Sequence, residues 1–227
     1  MNSLLFLGFL IGMRHALDAD HLAAVAAIST RQHSIRDTVR HGAAWGLGHT
    51  ITLFLFGSTV IWLDTLVPER LAFYLEMAVG LMLIVLGADV IRRVIRQRIH
   101  YHVHRHSHSD AHFHAHSHAG EGAHADSTHD HKHNQRFPVR TLMIGLMHGM
   151  AGSAALILLT LDTVTSLWTG MAYMLLFGIG SMVGMAIVSM IIAIPLQASA
   201  KRLTWMHNGL QMGIGALTML LGIAIVS

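Results

Sequence analysis

Gly12-Met-Arg14-His15-Ala-Leu-Asp18-Ala-Asp20-His21 is the stretch whose reading decides the fold. It places one arginine, two histidines and two aspartates within eight positions. Apolar sequence flanks it, from Leu4 to Ile11 and from Leu22 to Ile28. Residues 2–29 are together long enough to cross a bilayer, which takes about 20 residues. Ionisable groups at membrane depth are costly, so their presence there points to function. Two imidazoles and two carboxylates also form the ligand set of a borderline divalent metal.

The whole chain agrees with a membrane reading. Of its 227 residues, 53% are hydrophobic and 12% charged, and the mean hydropathy is +0.52. A soluble domain carries about 25% charged residues. The length fits one compact bundle without an appended soluble domain. The chain has no cysteine, which excludes disulfides and thiolate metal sites. The net charge of +3 sits mostly in loops and makes no case for nucleic acid. The N-terminus lacks a basic stretch and a small-residue cleavage site, so the first segment is expected to stay as a transmembrane helix.

Six apolar segments stand out, at 2–29, 42–63, 71–91, 139–161, 167–196 and 204–226. Pro195 is expected to end the fifth. In lipid, backbone groups must be bonded within the segment, so spans of this length are helices. Arg31, Arg36 and Arg40 load the first loop; Arg92, Arg93, Arg96, Arg98, Arg136 and Arg140 the third; Lys201 and Arg202 the fifth. The second and fourth loops are poor in basic residues. The positive-inside rule then puts the odd loops in the cytoplasm and both termini outside. A bacterial inner or plasma membrane is the expected location.

The two halves also resemble each other. Ile11-Gly12-Met-Arg-His15 matches Ile144-Gly145-Leu-Met-His148, and Trp45-Gly46-Leu-Gly48-His49 matches Phe177-Gly178-Ile-Gly180-Ser181. Glu76-Met77-Ala-Val79-Gly80 matches Gln211-Met212-Gly-Ile214-Gly215. The expected fold class is an all-α integral membrane protein of six transmembrane helices, arranged as two inverted three-helix repeats. Inverted repeats with a site at their interface are a transporter architecture. Residues 1–95 would be the first repeat and 139–227 the second. Between them, residues 96–138 form a loop expected to be cytoplasmic and disordered. Residues 100–133 hold 13 of the 20 histidines. Such a tract has little apolar surface with which to fold, and it suits weak, multivalent metal binding.

On a regular helix each residue turns 100°. With His15 at zero, Asp18 lies at about −60°, His21 at about −120° and Asp20 at about +140°. Either Asp20 serves another partner while His15, Asp18 and His21 converge, or the helix unwinds here, as substrate-binding helices of transporters often do. Arg14, four residues before Asp18, could hold it ionised. His49 follows two glycines that permit close helix approach, and His148 occupies the position matching His15. Glu76 is read as near the outer interface. The 15 methionines are scattered through apolar segments and read as packing rather than copper ligands.

His15-Ala-Leu-Asp18-Ala-Asp20-His21 has the spacing H-x-x-x-x-D-H, and here the chain resembles the nickel/cobalt permeases and their urease-associated relatives. Trp45-Gly-Leu-Gly48-His49-Thr50 and Gly145-Leu-Met-His148-Gly149 support the resemblance. It implies a secondary transporter for Ni²⁺ or Co²⁺, with His15, Asp20, His21 and His49 selecting the metal. It also implies the metal as cargo and no cofactor. A metallochaperone or a urease or hydrogenase maturation factor would be a fitting partner, as would a second copy of the chain. The chain is shorter than the eight-helix permeases and lacks their longer acidic signature, which places it in a compact branch and leaves direction open. The candidate metal residues are therefore His15, Asp18, Asp20, His21, His49 and His148. Two other functions compete. An intramembrane metal-dependent enzyme needs an open coordination position and a general base, and the sequence has neither H-E-x-x-H nor paired histidine boxes. A membrane-bound metal store or chaperone would rest on the histidine loop alone.

Overall fold

A computed structural model describes residues 2–32, 34–63, 68–96, 100–104, 112–116, 138–151, 167–202 and 204–227. Seven helices lie among them: α1 Asn2–His15, α2 Ala19–Ser29, α3 Ile35–Leu63, α4 Glu69–Arg96, α5 Val139–Ala151, α6 Leu167–Arg202 and α7 Thr204–Val226. Two short strands, β1 His100–His104 and β2 His112–His116, pair antiparallel in the histidine-rich region. Strict alternation of histidine with other residues has the period of a strand. It supplies local order in part of a stretch read from composition as unfolded.

The expectation of six transmembrane helices, and of two inverted sets of three, does not hold. Among the described residues three helices are long and apolar enough to cross a membrane: Glu69–Arg96, Trp168–Ala200 and Trp205–Val226. The first apolar segment is broken into α1 and α2, of 14 and 11 residues. Neither piece alone reaches the length a span needs. The break has a local cause. Aspartate is unfavourable inside a helix, and the Asp18 side chain turns to His15 rather than to the backbone. Asp18 sits at the N-cap of α2 in an extended conformation (φ −62°, ψ 147°). Tight bonds from Leu17 N–H to Arg14 O (2.9 Å) and from Asp18 N–H to His15 O (3.0 Å) close the turn. α3 is long, at 29 residues, but Trp45, Gly46, Gly48, His49 and Thr50 interrupt its apolar run. The segment expected at 139–161 is described only as far as Ala151. Pro195 does not end its helix; it lies inside α6. Interior prolines are tolerated in membrane helices where neighbouring groups take up the freed backbone atoms.

Glycines set the packing. α1 runs parallel to α6, with Gly8 on Tyr173 and Gly12 on the Phe177 carbonyl. α3 runs antiparallel to α6, with Gly42 against Ser189 and Gly46 against Met182. α5 runs parallel to α3, with Gly145 on the Trp45 carbonyl and Gly149 on that of His49. α4 and α7 meet through Gly80, Gly87, Gly215 and Gly222. A side chain at these points would force the backbones apart, the small-residue logic of membrane helix pairs. Gly145→Ala is expected to destabilise the protein by about 1–3 kcal/mol through overpacking. A thermal-shift assay in detergent checks this, and an unchanged midpoint would contradict the packing.

Around these contacts lie two buried clusters. One joins Ala16, Val25, Trp45, Leu83 and Met185; the other joins Leu53, Tyr173, Met174 and Phe177. Met174 and Met185 are fully buried packing groups. Large apolar side chains such as Phe6, Leu55, Val85, Ile191 and Leu217 remain exposed on the outer faces. Trp62, Trp168 and Trp205 are exposed at helix ends, where tryptophan anchors membrane proteins at the interface. The molecule is a multi-span membrane protein.

Candidate metal centre

The break between α1 and α2 places His15 at the end of one helix and Asp20 and His21 in the first turn of the next. α3 brings His49 beside them. α5, drawn in by Gly145 and Gly149, brings His148. The ring centroids of His15 and His21 are 4.3 Å apart, and those of His21 and His148 also 4.3 Å. His49 lies 5.1 Å from His21 and 5.4 Å from His15. His21, His49 and His148 are at most 1% exposed.

Each aspartate holds imidazole. Asp18 Oδ2 is 2.7 Å from His15 Nδ1. It is His15 rather than Arg14 that takes this carboxylate, and the Asp18 side chain does not cap α2. Asp20 does more. Its Oδ1 accepts the His21 backbone N–H at 3.0 Å and lies 3.0 Å from His21 Nδ1. Its Oδ2 lies 3.2 Å from His148 Nε2. A carboxylate only accepts, so each facing ring nitrogen carries the proton and the opposite nitrogen keeps a lone pair. Those opposite nitrogens are buried without a protein partner: Nε2 of His15, Nε2 of His21 and Nδ1 of His148. His49 has neither ring nitrogen partnered. Buried polar atoms are normally bonded, so this many orphans in one place calls for a ligand.

One ligand atom from each of His15, His21 and His49 lies within 4.8 Å of the others, and the same holds for Asp20, His21 and His148. All six sequence candidates therefore sit in or beside one cluster. Asp18 is its most exposed member, with 55% of its side chain open. Glu76 stays apart, exposed on α4. The sequence reading missed the walls. Trp45 packs 5.4 Å from His21 and 5.3 Å from His148, and Phe177 lies 5.2 Å from His15. The signal for Trp45 was present: it stands four residues before His49, on the same helix face.

A multi-span membrane protein with such an imidazole and carboxylate cluster among its helices belongs to the class of membrane metal-handling proteins. The chain belongs to the NicO family, described as high-affinity nickel-transport protein, which matches residues 1–227. The family is one of transport proteins, not enzymes. The chain is 34% identical over 221 residues to the urease accessory protein UreH of Bacillus sp. (strain TB-90), covering 97% of this chain and 89% of that one. It is 25% identical over 217 residues to the chloroplast protein FOR GROWTH AND FERTILITY 1 of Arabidopsis thaliana, covering 92% of this chain and 56% of the relative. A second Arabidopsis protein of that name, number 2, matches at 25% over 54% of its length. No solved structure matches the chain.

Proposed function

We propose that this chain carries Ni²⁺ or Co²⁺ across the membrane, with His15, His21 and His49 as ligands. Asp18, Asp20 and His148 would orient and neutralise the centre. The observation that supports this is the set of orphaned imidazole nitrogens converging at the α1–α2 break. Three imidazoles leave room for further ligands from water, and imidazole suits these ions. Selection against copper, which binds such donors more tightly, has to come from geometry. The carboxylates matter because a divalent ion is costly away from water. Transport into proteoliposomes, with Ni²⁺, Co²⁺ or Zn²⁺ on a defined side, tests the reading and gives the direction. Absence of flux for all three metals from both sides would reject it.

The basic ends of α4 and α6, and Arg31 just past α2, are assigned to the cytoplasm on charge. Residues 96–138 would then form a cytoplasmic histidine-rich segment between membrane parts 1–95 and 139–227. A cysteine placed at position 120 is expected to react with an impermeant reagent only after the membrane is opened. Labelling in intact cells would overturn the orientation.

The segment is proposed to collect metal weakly. Protons compete with metal for imidazole, so binding to the isolated segment should fall from pH 7 to pH 5.5. Deleting residues 100–133 is expected to shift the metal dependence of transport without abolishing it. A metallochaperone that serves urease maturation is proposed as a partner, since the Bacillus relative is named a urease accessory protein.

A further inference from the structure

We propose that Arg31, Asp89, Arg93 and Thr30 form a clasp that closes the ion site toward the basic-loop face by holding the end of α2. The proposal rests on the transport reading above, because a closure has meaning only for a protein that opens its site to two sides.

The clasp is built around one carboxylate oxygen. Asp89 Oδ2, on α4, accepts from Arg31 Nη2 at 2.5 Å and from Arg93 Nε at 3.1 Å. Arg93 Nη2 also donates to Thr30 Oγ1 at 3.0 Å. Thr30 is the C-cap of α2, and Arg31 follows it directly. Two bonds thus tie the end of α2 to α4, Arg31 to Asp89 and Arg93 to Thr30, and the Arg93–Asp89 bond within α4 braces them. Isolated exposed ion pairs contribute little. Here the groups are partly buried, with 24–34% of their side chains exposed, and they share one acceptor.

The location gives the clasp its role. Arg31 lines two cavities, one of about 440 Å³ that also touches Thr30 and Arg93, and one of about 200 Å³ that also touches Asp89 and Arg140. It therefore stands in the wall between them. α2 is a short rod of 11 residues. Its first turn carries Asp20 and His21, and its last turn carries the clasp. The turn at Ala16–Asp18 separates it from α1 as a helix of its own. Movement of its C-terminal end is passed to His21 because a helix moves as a unit. Without Asp89, Arg31 and Arg93 face each other with Arg140 nearby, and like charges separate. Arg31, Asp89 and Arg93 are positioning residues for the transport cycle and do not touch the ion.

Ala27 reports the closure. It lies on α2, is 2% exposed and lines the smaller cavity. The chain has no cysteine of its own, so Ala27→Cys gives a single reactive thiol. Its modification by an impermeant methanethiosulfonate is expected to be slow, and at least tenfold faster from the basic-loop side with Asp89→Asn. The exchanged pair Arg31→Asp with Asp89→Arg should return it toward the slow rate. Arg31→Lys keeps the charge, shortens the reach and should give an intermediate rate, which covers the case of a poorly folded Asp89→Asn. A labelling rate that is the same with Asp89→Asn and with Arg31→Lys as with the intact clasp would overturn the proposal. So would an exchanged pair that labels as fast as Asp89→Asn. The reaction needs no metal, so a failure of the clasp is distinguishable from a failure of the transport reading.

Discussion

Asp20→Asn is expected to lower metal flux by about 10- to 100-fold, the usual loss when a group that orients metal-binding histidines is removed. Asp18→Asn should lower it less. The two substitutions keep the side-chain size and remove the charge, but the groups have different work. Asp20 meets two buried imidazoles, His21 through Oδ1 and His148 through Oδ2. Asparagine offers one accepting oxygen in place of two, so one of the two rings loses its partner and its fixed proton. Asp18 meets only His15 and lies largely in the open, where water can replace it. Initial rates in proteoliposomes at matched protein levels measure the order. A larger loss from Asp18→Asn would point to a helix that is regular through this stretch in the working protein, and equal losses would contradict this division of work.

The double substitution His15→Ala, His21→Ala is expected to reduce flux to the level of empty vesicles. It removes two of the three imidazoles whose ligand atoms lie within 4.8 Å of one another. His21 belongs to both three-ligand groups of the cluster, so neither group survives, and His49, His148 and Asp20 are left without a complete set. Each single substitution should also fall well below the intact protein, because two ligands hold the ion poorly and the gap fills with water. Folding is controlled by following Glu76→Gln, on the exposed face of α4, which should transport as the intact protein does. Full transport by the double variant would remove the basis for placing the path at the α1–α2 break.

What could be read from the sequence alone was chemistry and medium. Apolar runs with few charges determined a helical membrane protein, and the absence of cysteine restricted the ligands to imidazole and carboxylate. The spacing of His15, Asp20 and His21 pointed to the family and to residues that the structure gathers into one cluster. The last helix was legible to its ends, since 204–226 and Thr204–Val226 coincide. These features are local, and local sequence sets hydropathy and ligand type.

Tertiary structure decided the number of spanning helices, the work of each aspartate and the clasp. Angles of 100° per residue hold only while a helix is unbroken. The turn at Ala16–Asp18 restarts that count, which sends Asp18 to His15 and Asp20 to His21 and His148. Apolar length overstates the span count wherever an apolar run bends at a polar cap, as at Asp18. Arg31 and Asp89 are 58 positions apart, and no pattern along the chain ties them. Their pairing depends on how α2 lies against α4, and that is set by where the glycines let the other helices approach.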